Sequence, residues 1–190
     1  VSDVRKPLEP QPGVLIHPAA DRRLATEHWL LSTLPDDWRG PARRDWKRQR
    51  VTLLPLGTLF SAVRIPGSLI LALTGTLTPR DIDSVLADVL HGGPVICDPR
   101  RAWYYALVPA SVPRTVSAKK LDTWRDINVE VLGRDAYLGV PPLDAVALNP
   151  QAPASYWSVP MESAASLCAP LTVGRLIGAG RDRLLEGVGE

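Results

Sequence analysis

An α+β fold, with helices packed on a largely antiparallel sheet, is predicted by three features of this sequence. These are one strongly amphipathic helical stretch over Pro79–His91, two pairs of apolar strands each interrupted by turn residues, and a length suited to one core. The 190 residues are 45% hydrophobic and 22% charged, too apolar for a disordered chain. No period of 20 to 50 residues recurs, which argues against a repeat architecture.

Taken in order, residues 1–23 carry Pro7, Pro10, Pro12 and Pro18 with little apolar periodicity. That composition predicts a flexible proline-rich tail and leaves 24–190 as a single α+β domain. Leu24, Trp29, Leu30, Leu31 and Leu34 suit one short amphipathic helix that ends at Pro35. From Arg39 to Arg50 comes the strongest charge asymmetry in the chain. Arg39, Arg43, Arg44, Lys47, Arg48 and Arg50 stand against one acid, Asp45, and are interleaved with Trp38 and Trp46.

Val51–Leu56 reads as a strand, and Phe60–Leu73 as one or two more around Pro66-Gly67. In Pro79–His91, Ile82, Val85, Leu86, Val89 and Leu90 fall at helical spacing. Thr78 is placed to cap that helix, Pro79 fits its first position and Gly92-Gly93 suits a left-handed termination. A hairpin is expected from Pro94–Cys97 and Ala102–Val108 across Asp98-Pro99-Arg100-Arg101. A short helix over Ser117–Trp124 should follow, and then a second hairpin from Val129–Leu132 and Ala136–Val140 across Gly133-Arg134-Asp135. After a proline-rich crossing with Tyr156 and Trp157, a last helix runs from about Pro170 to Glu186.

Several function classes are disfavoured. The longest apolar stretch, Ile65–Leu77, contains Pro66, Gly67 and Gly75 and falls short of the roughly 20 residues of a membrane span. Val1–Pro12 lacks the apolar centre of a secretory signal, so a cytoplasmic location is expected. Cys97 and Cys168 have no Cys or His at metal-ligand spacing and read as buried small apolar residues. His17, His28 and His91 lack a neighbouring nucleophile. Gly92-Gly93 and Gly178-Ala179-Gly180 are not followed by Lys-Ser/Thr, and no Gly-x-Gly-x-x-Gly occurs, so no nucleotide cofactor is signalled. Asp81-Ile82-Asp83 is the one Asp-x-Asp, but in a first helical turn its charge complements the helix dipole.

The sequence Gly92-Gly93-Pro94-Val95, Trp103-Tyr104-Tyr105-Ala106-Leu107-Val108-Pro109, Trp124, Leu132-Gly133, Tyr137-Leu138-Gly139-Val140-Pro141-Pro142 and Tyr156-Trp157 resembles the N-terminal domain of bifunctional DNA primase/polymerases (prim-pol). The likeness is to small actinobacterial stand-alone forms and spans roughly residues 58–187. It implies a primase-polymerase-like fold, whose active members hold divalent metals with acids on neighbouring strands. Near Phe60-Ser61-Ala62-Val63-Arg64, where the first acidic pair would stand, this chain has Ser61 and Arg64, and no histidine follows in a nucleotide-binding strand. The resemblance therefore implies either a catalytically degenerate domain or a likeness of fold alone, which would not determine function.

Three functions follow as expectations. The first is a non-enzymatic, regulatory binding domain that takes single-stranded or duplex nucleic acid, or a protein, through Arg39, Arg43, Arg44, Trp46, Lys47, Arg48 and Arg50. Arginines neutralise phosphates bidentately and exposed tryptophans stack on unpaired bases. The competing reading of that segment is a helix with tryptophans packed on the sheet and arginines solvated or paired. The second function is a minimal metal-dependent nucleotidyl transferase using Asp81, Asp83, Asp98 or Asp135. The third is a protein-interaction module, self-association included, built on six tryptophans and exposed sheet edges.

Overall fold

A computed structural model describes residues 19–151 and 153–187. Most of the expected tail, residues 1–18, lies outside the described residues. Residues 19–23 are already helical, because α1 runs over Ala19–Leu31, five residues earlier than Leu24. Leu30 and Leu31 of α1 are buried, whereas Leu24 is solvent-facing. Helix α2, Asp36–Gln49, follows after a short turn.

Strand β1 is Thr52–Pro55 and β2 is Phe60–Pro66. The apolar run beyond Pro66 is not a strand but helix α3, Gly67–Thr74, a correction with a packing cause. A side chain at Gly67 would collide with the carbonyl of Arg101, so the chain passes there close against the Asp98–Arg101 loop. The helix then buries Leu69 and Ile70, Leu69 seating on Gly180 of the last helix. Local pattern cannot distinguish strand from helix in a short continuous apolar run.

Helix α4 spans Pro79–Val89 and buries Ile82 and Leu86 as its periodicity requires. Thr78 occupies its N-cap without a side-chain hydrogen bond. At the other end Gly92 N–H donates to Ala87 O at 2.8 Å and His91 N–H to Asp88 O at 3.2 Å, the paired bonds of a Schellman termination. His91 occupies the left-handed position with φ 52°, and Gly92 follows at 75°.

Strands β3 (Val95–Cys97) and β4 (Trp103–Pro109) form the expected hairpin, with Cys97 opposite Tyr104. The one-turn helix α5 (Val112–Thr115) leads to α6 (Ala118–Arg125), where Ser117 Oγ accepts from Lys120 N–H at 3.4 Å. The remaining elements are β5 (Glu130–Leu132), β6 (Tyr137–Val140), β7 (Tyr156–Val159) and α7 (Pro170–Gly187).

The second expected hairpin does not form. β5 pairs with β2, placing Leu132 opposite Ala62, and β6 pairs with β1, placing Tyr137 opposite Pro55. The turn at Gly133-Arg134-Asp135 carries the chain from one sheet to the other. Gly57 permits this, since its φ is 87° and a Cβ there would lie 2.5 Å from the Arg134 nitrogen. Tyr156 and Trp157, read as part of a crossing, are the start of edge strand β7.

An α+β architecture results, with antiparallel pairing throughout. The main sheet has strand order β5-β2-β4-β3-β7, and β1-β6 is a separate two-stranded ribbon. One face of the main sheet offers Val63, Ile65, Ala106 and Val108 to a core shared with α3, α4 and α7. The other offers Phe60, Ala62, Leu107 and Trp157 to a core shared with α1, α2 and the ribbon. Burial on both faces makes the central strands continuous apolar runs rather than alternating ones.

Candidate nucleic-acid interface

The basic segment is helix α2, and its helical geometry separates the predicted binding residues into three groups. Ala42 and Trp46 mark the buried stripe. Trp46 is 5% exposed, and its Nε1–H donates to Val140 O at 2.8 Å. Its expected role as a base-stacking residue is thereby corrected: an indole committed to the core and to a backbone acceptor presents no free ring face.

Three cations are engaged within the fold. Arg39 pairs with Asp36 at 2.7 Å and donates to Leu34 O at 3.1 Å. Arg43 Nε donates to Glu27 at 2.7 Å, and Arg50 reaches Asp144 at 3.2 Å. The last two bind α2 to α1 and to the loop after β6. As part-exposed pairs each is worth about 0–1 kcal/mol, so they orient the helix more than they stabilise it.

Arg44, Lys47 and Arg48 form the third group. They are exposed and form no ion pair or hydrogen bond among the described residues. At positions i, i+3 and i+4 they are neighbours on the helix face opposite Ala42 and Trp46. Trp38 stands about 120° around the helix from Arg44, on the side that faces β1 and β6, and is 64% exposed. This is the aromatic that the sequence motif offers to a ligand. Two basic residues outside α2 have local roles: Lys120 stands over the Trp124 ring at 5.1 Å, and Arg101 donates to Leu77 O at 2.9 Å.

The carboxylates considered as metal ligands have other uses. Asp83 leaves the first turn of α4 toward the sheet and is not a solvated dipole partner. Its Oδ1 accepts from Tyr156 Oη at 3.1 Å and from the Ser158 hydroxyl. Burial raises its pKa above the usual aspartate value, against the opposing effect of these hydrogen bonds. Asp98 Oδ1 accepts from Ala102 N–H at 2.8 Å and so closes the β3–β4 turn. Asp135 occupies a left-handed turn position, and Asp81 is exposed. Among the described residues no three His, Cys, Asp or Glu side chains cluster as a metal site.

At the position where the resemblance would place acids, Ser61 is fully buried and its hydroxyl has no hydrogen-bond partner among the described residues. Arg64 pairs with Glu130 at 2.8 Å and lies 4.2 Å from the Trp103 ring centroid. It lines a cavity of about 280 Å³ with Asp98, Tyr105 and Tyr137.

A second opening of about 630 Å³ runs between α2 and the β1-β6 ribbon, lined by Trp38, Pro41, Asp45, Leu53 and Tyr137. Tyr137 belongs to both openings. Neither was reached from the sequence. The available signal was alternation: Leu53 and Tyr137 each stand on the outward side of a strand whose other side is buried. Both cysteines are buried, and burial raises each thiol to about 12.

No helix among the described residues is long and apolar enough to cross a membrane. No family model, curated protein or solved structure matches the chain.

Proposed function

We propose that this chain is a non-catalytic, prim-pol-like domain that acts in the cytoplasm and binds nucleic acid through the solvent face of α2. The observation that carries the reading is the unpaired triplet Arg44, Lys47 and Arg48 on one helix face, with exposed Trp38 two turns earlier on the same helix. Three phosphate contacts and one stacking aromatic fit a short stretch of single strand, whose unpaired bases are free to stack. Arg39, Arg43 and Arg50 support the site by holding α2 in place. A nucleotidyl-transferase reading has less to stand on, since Asp83 and Asp98 already accept hydrogen bonds that hold the fold.

Fluorescence anisotropy with labelled single-stranded and duplex DNA and RNA tests this reading. Releasing three counterions from a single strand gives a fall in affinity of about 20-fold between 50 and 200 mM salt. Changing Arg44, Lys47 and Arg48 together to Ala should remove that salt dependence. Absence of binding at low salt, or binding unaltered by the triple variant, would reject the α2 interface.

A second reading, a protein-interaction module, is favoured by a different observation: Trp38, Leu53 and Tyr137 expose 64%, 64% and 65% of their surface around one opening. Exposed apolar side chains gathered around one opening are what an interaction site presents.

A further inference from the structure

We infer that the groove between α2 and the β1-β6 ribbon is a base pocket, which takes an unpaired guanine from a single strand whose phosphates lie on Arg44, Lys47 and Arg48. The inference rests on the nucleic-acid reading of α2 and deepens it, naming the part of the ligand that enters the groove and the base preferred there.

The helix joins the two surfaces. Trp38 and Asp45 stand about 20° apart around α2, and both line the groove. Pro41, also in the lining, is about 40° beyond Asp45, Arg48 about 20° beyond Pro41, and Arg44 about 40° further toward solvent. Along the axis Trp38 and Arg44 are about 9 Å apart, a distance a single strand spans within a few nucleotides. A strand with its phosphates on Arg48 and Arg44 therefore runs beside the Pro41 edge, and a base turned inward from it enters the groove next to Trp38.

The groove has the walls a base needs. Trp38 on the helix side and Tyr137 on the ribbon side are both exposed rings, and Leu53 adds apolar surface between them. Its volume of about 630 Å³ falls within the roughly 300–1,000 Å³ of clefts that take small ligands. Aromatic walls accept every base, because each has a π-face, and so do not choose among them.

Asp45 supplies the choice. It forms no ion pair or hydrogen bond among the described residues. Amid the cations of α2 an unpaired acid opposes phosphate binding. In the groove it meets the base instead. A carboxylate only accepts hydrogen bonds. Guanine presents two adjacent donors on its Watson–Crick edge, N1–H and the N2 amino group, which match the two carboxylate oxygens. Adenine and cytosine set a ring-nitrogen acceptor beside their amino group, and thymine and uracil flank N3–H with two carbonyls. Each of those acceptors would face the carboxylate.

The test is fluorescence anisotropy with labelled single strands of thymine (uracil in RNA) that carry one central guanine, adenine or abasic spacer. All three have the same phosphates. The guanine strand should bind about fivefold or more tighter than the other two, as DNA or as RNA. Asp45→Asn should abolish the preference over adenine, and Trp38→Ala should bring the guanine strand down to the abasic one. Both variants should keep the salt dependence that Arg44, Lys47 and Arg48 confer, which shows that α2 is still folded. Salt-sensitive binding that needs the triplet but is equal for all three strands would overturn the base pocket and leave the α2 phosphate interface standing. No binding at low salt would overturn both. A guanine preference that survives Asp45→Asn would overturn the pocket, and so would guanosine monophosphate competing as tightly as the unlabelled guanine strand, since the groove would then belong to a free nucleotide.

Discussion

Trp46 on α2 and Val140 at the end of β6, 94 residues apart in sequence, are joined by a 2.8 Å hydrogen bond from the indole N–H to the backbone carbonyl. Both residues are buried, and the bond attaches the basic helix to the ribbon that forms the other wall of the groove. Trp46→Phe keeps most of the ring but leaves the Val140 carbonyl without this donor. A loss of about 1–3 kcal/mol is expected from urea unfolding. Trp46→Ala should cost about 3–5 kcal/mol by adding a cavity.

His91 occupies a left-handed backbone position that favours glycine, at the end of α4. His91→Gly should therefore raise stability by about 0.5–1 kcal/mol, partly offset by the greater freedom of glycine in the unfolded chain. Thermal unfolding should show the midpoint rising by about 2 °C. A lower midpoint would mean that the imidazole contributes more than the backbone strain costs.

Asp83 carries a pH dependence of definite sign. Burial raises its folded pKa above the ordinary 3.8, so the folded chain holds this proton more tightly than the unfolded one. Stability from this group is then greatest at low pH. It is lost as pH rises from about 3.8 through the raised folded value, and is flat above it. Subtracting the unfolding free energies of Asp83→Asn from those of the parent across that range isolates the group. A difference that grows more favourable to the parent with rising pH would contradict the buried-carboxylate account.

Cys97 and Cys168 are 0% and 1% exposed and have thiols raised to about 12. Thiolate is the reactive form, so neither should react with a thiol reagent at pH 8 in the folded protein. Reaction should follow the unfolding rate in urea. A fast phase from one thiol without denaturant would reveal a local opening at β3 or at the segment preceding α7.

The α4 helix was legible because its period of apolar residues and its terminating Gly92-Gly93 are both local. The same holds for the β3–β4 hairpin across Asp98–Arg101 and for α7. The residues of α3 have an apolar run without a diagnostic period, and the collision that a Cβ at Gly67 would make with Arg101 lies 34 positions away. Strands β5 and β6 had the right strand chemistry but the wrong assumed partners. Two short strands across a tight turn look like a hairpin whether they pair with each other or with strands formed earlier.

The candidate site divides in the same way. Composition alone located the basic segment between Arg39 and Arg50, because charge is a property of the residues themselves. Burial is not. Tertiary packing decided that Trp46 faces the core while Trp38 faces solvent, and that Arg43 meets Glu27 while Arg44 meets water. It likewise turned Asp83 toward Tyr156 and left Leu53 and Tyr137 facing one groove. The sequence by itself determined the α+β class, the apolar core and the position of the positive charge. Only the tertiary structure decided which of those charges and aromatic rings remain available, because availability depends on contacts between residues far apart along the chain.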